Sequence, residues 1–114
     1  MLSQGDILLV PVPFTDLSAR KQRPVIVISN DAYNRQTSDV VVVAMTSNPA
    51  QADYSFVITS DDLQHGQLNH PGTIRVDKVY TLSQSIAIKV FGRVTPQVLD
   101  RIRSLLRELI AKKP

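Results

Sequence analysis

The chain of 114 residues is the size of one domain, and at 43% apolar it holds enough side chains for a single core. No stretch approaches the roughly 18 consecutive apolar residues of a membrane span, and zero cysteines exclude disulfide staples and thiolate metal sites together. The formal net charge of +3 is too mild to establish a nucleic-acid partner alone, although cations gather at Arg20–Arg23, Arg75–Lys78 and Arg101–Lys113. An aromatic content of 5% argues against a recognition surface built mainly from stacking platforms. Gln4 and Asp6 stand where a signal peptide would carry basic and then apolar residues, so a cytoplasmic protein is expected.

Asp6–Val12 (DILLVPV) reads as a first strand, with Pro11 and Pro13 making its far end an edge or a bend. Phe14–Gln22 is a polar, basic loop. Pro24–Ser29 is a second strand and Val40–Met45 a third, both short, Val/Ile-rich runs of the kind buried on two faces. Between them, Asn30–Asp39 has room for one helical turn, with Tyr33 as its expected buried anchor. Asn48-Pro49 marks a turn, and Tyr54–Thr59 is a fourth strand. Ser60–Pro71 reads as the longest irregular stretch. Thr73–Val79 alternates as a half-exposed strand that then leaves the sheet, and Ser85–Val94 is a further strand with Gly92 as a bulge or turn.

The last element has the strongest pattern. Thr95 suits a helix cap and Pro96 its first position. Val98, Leu99, Ile102, Leu105, Leu106, Leu109 and Ile110 then recur at three- and four-residue spacing, forming one apolar stripe. Five or six short strands and one amphipathic helix predict a mainly β domain over 1–114, a curved antiparallel sheet or small barrel covered on one side by the helix.

Several motifs stand in a fixed order along the chain. They are Gly5-Asp6-Ile7, Arg23-Pro24-Val25, Asn34-Arg35, Thr46-Ser47, Ile74-Arg75-Val76-Asp77-Lys78 followed by Thr81-Leu82, and Gly92-Arg93-Val94 before the helix. Each is commonplace alone. Together, from about Gly5 to Leu109, they resemble the MazF/PemK/Kid toxins of type II toxin–antitoxin pairs. The resemblance implies an SH3-like small curved β-barrel of the MazF/CcdB kind, forming a homodimer. It also implies a sequence-specific endoribonuclease that cuts single-stranded RNA without metal or other cofactor and is blocked by a cognate antitoxin protein.

Such cleavage uses the substrate's own 2′-hydroxyl, so the enzyme needs a base, an acid and cations on the phosphate rather than a nucleophile of its own. Arg23 suits the cation role, because its forked donors match phosphate oxygens in pairs, and its permanent charge makes it a poor base. Thr46 suits a hydroxyl donor to the phosphate. The resemblance implies catalytic roles for Arg23 and Thr46 and, as in some members, for Arg75 and Asp77. Ser47, Arg20, Lys21 and Lys78 are the expected RNA contacts. By residue type alone the blander readings are the more usual: Arg23 solvates a strand end and Thr46 and Ser47 shape a turn, while Arg75–Asp77 fits a surface ion pair.

Many members place a catalytic His or Glu in a longer, glycine-containing loop between the first two strands. Phe14–Gln22 has none of these, which leaves the base unassigned. His65 and His70 read as solvated loop residues, since a metal site would need a third ligand. Two other readings remain beside the endoribonuclease: a toxin of the same fold that poisons DNA gyrase, and an SH3-like interaction domain. Ala111-Lys112-Lys113-Pro114 offers no apolar anchor for gyrase, and the scattered Tyr and Phe residues mark no aromatic groove.

Overall fold

The computed structural model describes residues 2–12, 21–48 and 52–114. Seven strands form one antiparallel sheet: β1 (Asp6–Val12), β2 (Lys21–Val27), β3 (Asp39–Thr46), β4 (Ser55–Ile58), β5 (Leu63–Gly66), β6 (Gly72–Ser83) and β7 (Lys89–Val94). Their order across the sheet is β4-β6-β3-β2-β1-β7-β5, so it curls into a half-barrel with β4 and β5 at its edges. A short helix, α1 (Asp31–Gln36), links β2 to β3, and a long one, α2 (Pro96–Ile110), ends the domain.

Alternation along the strands divides the core in two. Ile7, Ile26, Val43 and Ile74 point to one face, where α2 lays down Val98 and Ile102. Leu8, Val25, Val27, Val40 and Val42 point to the other. Each fully buried aliphatic side chain contributes about 1.5–3 kcal/mol relative to exposure. The helix begins as its sequence predicts: the Thr95 side chain accepts the Val98 N–H, with Pro96 in the first turn. At the opposite end of the chain, Asp6 is buried and accepts hydrogen bonds from the Ser3 N–H (2.8 Å) and from Arg93 Nε (3.0 Å), tying the amino terminus to β7.

The sheet departs from the sequence reading in five places. The second strand starts at Lys21, so Lys21 and Gln22 belong to β2 rather than to the preceding loop. The buried residue of α1 is Asn34, not Tyr33. The Asn34 amide donates to the Ser29 carbonyl and its oxygen accepts the Ser29 hydroxyl, while Gln84 donates to the Asn34 carbonyl at 2.8 Å. A small amide that satisfies the backbone at this crossing suits burial better than a phenol would. The stretch read as irregular contains a 3₁₀ turn at Ser60–Asp62 and then β5, which places His65 in an edge strand. At Gly66, with φ +92, an added Cβ would stand 2.5 Å from the Phe91 carbonyl oxygen, so the edge closes on β7 only with glycine.

β6 does not leave the sheet after Val79. It continues against β3 to Ser83, because the register jumps from Ala44↔Arg75 to Val43↔Val79 and leaves Val76, Asp77 and Lys78 in a bulge. The Tyr54 carbonyl accepts the Val76 N–H at 3.0 Å there. The stretch read as one strand over Ser85–Val94 is a 3₁₀ turn at Gln84–Ile86 followed by β7, and the residue without a partner on β1 is Phe91, beside Gly92.

Candidate active site

The Val25↔Ala44 pairing of β2 and β3, carried two residues further, sets Arg23 opposite Thr46. Thr46 in turn pairs with Thr73 on β6. By alternation from Val25 and Ala44, Arg23 and Thr46 face away from α2. They line one cavity of about 320 Å³ with Lys21, Pro24, Met45 and Ser47. The end of one strand and the start of its neighbour therefore bring a guanidinium and a hydroxyl to the same opening.

Arg23 is exposed and makes no hydrogen bond or ion pair with any described residue. Thr46 Oγ1 accepts the Asn48 N–H at 3.1 Å, which shapes the turn after β3. That bond occupies a lone pair and leaves the hydroxyl proton free to donate. Thr46 thus serves the turn and keeps a donor for a bound group.

Arg75 and Asp77 lie on the same face of β6 as Thr73, opposite to Ile74 and Val76. Arg75 sits beside Ala44, about 7 Å along the sheet from the Thr46 row. The two form a bidentate pair, Nε to Oδ1 at 2.9 Å and Nη2 to Oδ2 at 2.8 Å, half-buried on both sides. The hydrogen bonds from Arg75 hold the Asp77 carboxyl below the usual carboxylate range, against the opposing effect of burial. The same bonds raise the Arg75 guanidinium. The pair does not line the cavity, and Lys78, exposed in the bulge, does not either. Arg20 lies outside the described residues, as does nearly all of the Phe14–Gln22 loop.

One residue near the opening was read from the sequence as merely solvated. A second cavity, about 190 Å³, shares Pro24, Met45, Thr46 and Ser47 with the first and is closed by His70 and its neighbours. No local pattern marks His70, because its position depends on where the β5–β6 connection folds. Among the described residues no three His, Asp or Glu side chains are grouped to hold a metal ion, and no helix is long and apolar enough to cross a membrane.

An antiparallel half-barrel with a capping helix, opening on an arginine and a threonine contributed by adjacent strands, defines a recognisable class of small toxin domain. A family model for the PemK-like, MazF-like toxin of type II toxin–antitoxin systems matches residues 3–110, and the chain belongs to that family. It is 29% identical over 84 residues, 74% of each chain, to endoribonuclease MazF1 of Mycobacterium bovis and to endoribonuclease MazF4 of Mycobacterium tuberculosis. In fold it is similar to an endoribonuclease solved in complex with its cognate antitoxin from a mycobacterial species. That likeness has a TM-score of 0.79 at 23% identity, over 100% of both chains. A MazE–MazF structure from Deinococcus radiodurans gives 0.73 at 18% identity, covering 98% of this chain and 97% of that one.

Proposed function

We propose that this protein is the toxin of a type II toxin–antitoxin pair and acts as a sequence-specific, metal-independent endoribonuclease on single-stranded RNA. The observation that carries the reading is that the guanidinium of Arg23, unpaired among the described residues, and Thr46 line one cavity. Family membership and the names of the relatives support it. The 2′-hydroxyl attacks the adjacent phosphorus, and the P–O5′ bond breaks. Arg23 takes the phosphate oxygens in pairs and stabilises the charge that builds on them. Thr46 donates to the same phosphate and fixes the scissile bond. Arg75, held by Asp77, supplies a second positive charge along the strand of RNA, while Ser47, Lys21, Arg20 and Lys78 hold its backbone.

The working form is a homodimer in the cytoplasm. Ile88 and Val90 stand about half exposed on and beside β7, apolar surface that a second copy would cover. A cognate antitoxin would silence the enzyme by lying across the RNA cleft. The gyrase reading draws no support from the relatives, which are endoribonucleases by name.

Purified protein is expected to cut single-stranded RNA in EDTA at a short recurrent sequence and to leave 5′-hydroxyl ends, mapped by end sequencing. Uncut RNA across a varied pool, together with inhibition of gyrase supercoiling, would overturn the reading in favour of a gyrase poison.

A further inference from the structure

We propose that His70 is the general base of RNA cleavage, taking the proton of the attacking 2′-hydroxyl. The inference rests on the endoribonuclease reading and supplies the group that reading lacks. The guanidinium of Arg23 and the ammonium of Lys21 suit the phosphate charge rather than proton abstraction. Asp77 has both carboxylate oxygens engaged by Arg75 and is held below the usual range, so it accepts a proton poorly near neutrality. Among the described residues that line the two cavities, His70 is the only imidazole, the side-chain type most often used as a general base.

Its position is built rather than incidental. The connection that carries it is pinned at both ends. Ser60 Oγ accepts the Leu68 N–H at 2.9 Å and donates to the Leu68 carbonyl at 3.1 Å. Gly72 is buried so tightly on Met45 that an added Cβ would stand 2.7 Å from its sulfur. The next residue, Thr73, pairs with Thr46. His70 is exposed, makes no bond to a described residue, and closes the cavity whose other wall is Pro24, Met45, Thr46 and Ser47. The charged group that shares a cavity with it is Asp61 from the 3₁₀ turn, while Arg23 and Lys21 of β2 line the neighbouring cavity beyond the shared wall. β1, β3 and β7 line its cavity only with uncharged residues.

A phosphate held by Arg23 and Thr46 would therefore lie beside the wall, Thr46 and Ser47, that the imidazole's cavity shares. The neutral ring nitrogen takes the 2′-hydroxyl proton as the 2′-oxygen bonds to phosphorus. The P–O5′ bond breaks, and the 5′-oxygen leaves with its electron pair and collects a proton from water. The products are a 2′,3′-cyclic phosphate and a 5′-hydroxyl, and the imidazolium returns its proton to solvent.

The test is kcat/KM against pH for wild type, His70→Ala, His70→Asn and the control His65→Gln, on one cleavable RNA oligonucleotide. Binding is measured separately with the 2′-deoxy version, which cannot react. Wild type and His65→Gln are expected to show a rate that rises through the histidine range. Both His70 variants are expected to lose about 10²–10⁴-fold, to lose that rise, and to bind the 2′-deoxy oligonucleotide as tightly as wild type. An unchanged rate or an unchanged rise in either His70 variant would overturn the proposal while the endoribonuclease reading stood. So would a loss seen only in binding, or a lost fall at high pH, which would mark an acid. Wild-type protein that cuts no RNA would overturn that reading and this inference with it.

Discussion

Asp6–Arg93 and Arg75–Asp77 join the same two chemical groups on strands of the same sheet, yet their surroundings differ. Asp6 is buried, with a backbone N–H on one oxygen and Arg93 on the other, and it ties the chain's start to β7. Arg75 and Asp77 are half-exposed and joined to each other in a bidentate pair, with Asp77 in the bulge of β6. A buried carboxylate that also satisfies the backbone holds the fold, since leaving its partners bare costs the full desolvation of each. A half-exposed pair contributes about 0–1 kcal/mol to stability and keeps a charge in place where RNA would pass. The same chemistry thus holds the fold in one place and, on the proposed reading, a charge for RNA in the other.

Mutations can pull the two ends apart. The largest expected effect lies at the cleft: Arg23→Ala should lower RNA cleavage by about 10²–10³-fold and leave the urea midpoint unchanged, since Arg23 has no partner among the described residues. Asp77→Ala should come next, with cleavage down roughly ten- to a hundredfold through a misplaced Arg75 and stability changed by under about 1 kcal/mol. A stability loss with no loss of cleavage would move this pair into the class of Asp6–Arg93. Asp6→Ala should do the reverse. It is expected to cost about 2 kcal/mol in urea unfolding, with the rate per folded molecule retained.

The smallest effect is in pH. Asp77 sits below its unfolded value of about 3.9 in the folded state, so its contribution is complete above that value. It is lost as pH falls through the lower folded value. The stability difference between wild type and Asp77→Asn should therefore be flat above about pH 5 and shrink in stronger acid. A difference that grew on acidification would contradict the pair's geometry.

Much of this molecule is readable one residue at a time. The apolar stripe from Val98 to Ile110 and the Thr95-Pro96 start determine α2, because helix periodicity and capping are local. The Val/Ile runs determine β2 and β3 by the same logic, although their ends moved by up to three residues. Arg23 and Thr46 could be proposed because they close motifs at the ends of those runs. Volume points to Tyr33 as the buried residue of α1, whereas the crossing beside Ser29 and Gln84 needs the hydrogen bonds of Asn34.

Other features have no local cause. β5 is a four-residue edge strand, LQHG, whose only reason to be extended is its pairing with β7. The bulge at Val76–Lys78 exists because β6 must stay in register with β3 on both sides of it. That bulge, not the Arg75–Asp77 spacing, decides that the pair stands beside the cleft. His70 lies five residues beyond His65 in a polar stretch, and nothing in those residues sets them apart. Only the pinning of Leu68 and the press of Gly72 on Met45 carry His70 to Thr46. The sequence by itself determined β1, β2, β3, α2, the family and the two residues at the mouth of the cleft, since each is written in short-range pattern. Which side chains share that cleft was decided by strand register and by the packing of a connection, and those belong to the tertiary structure.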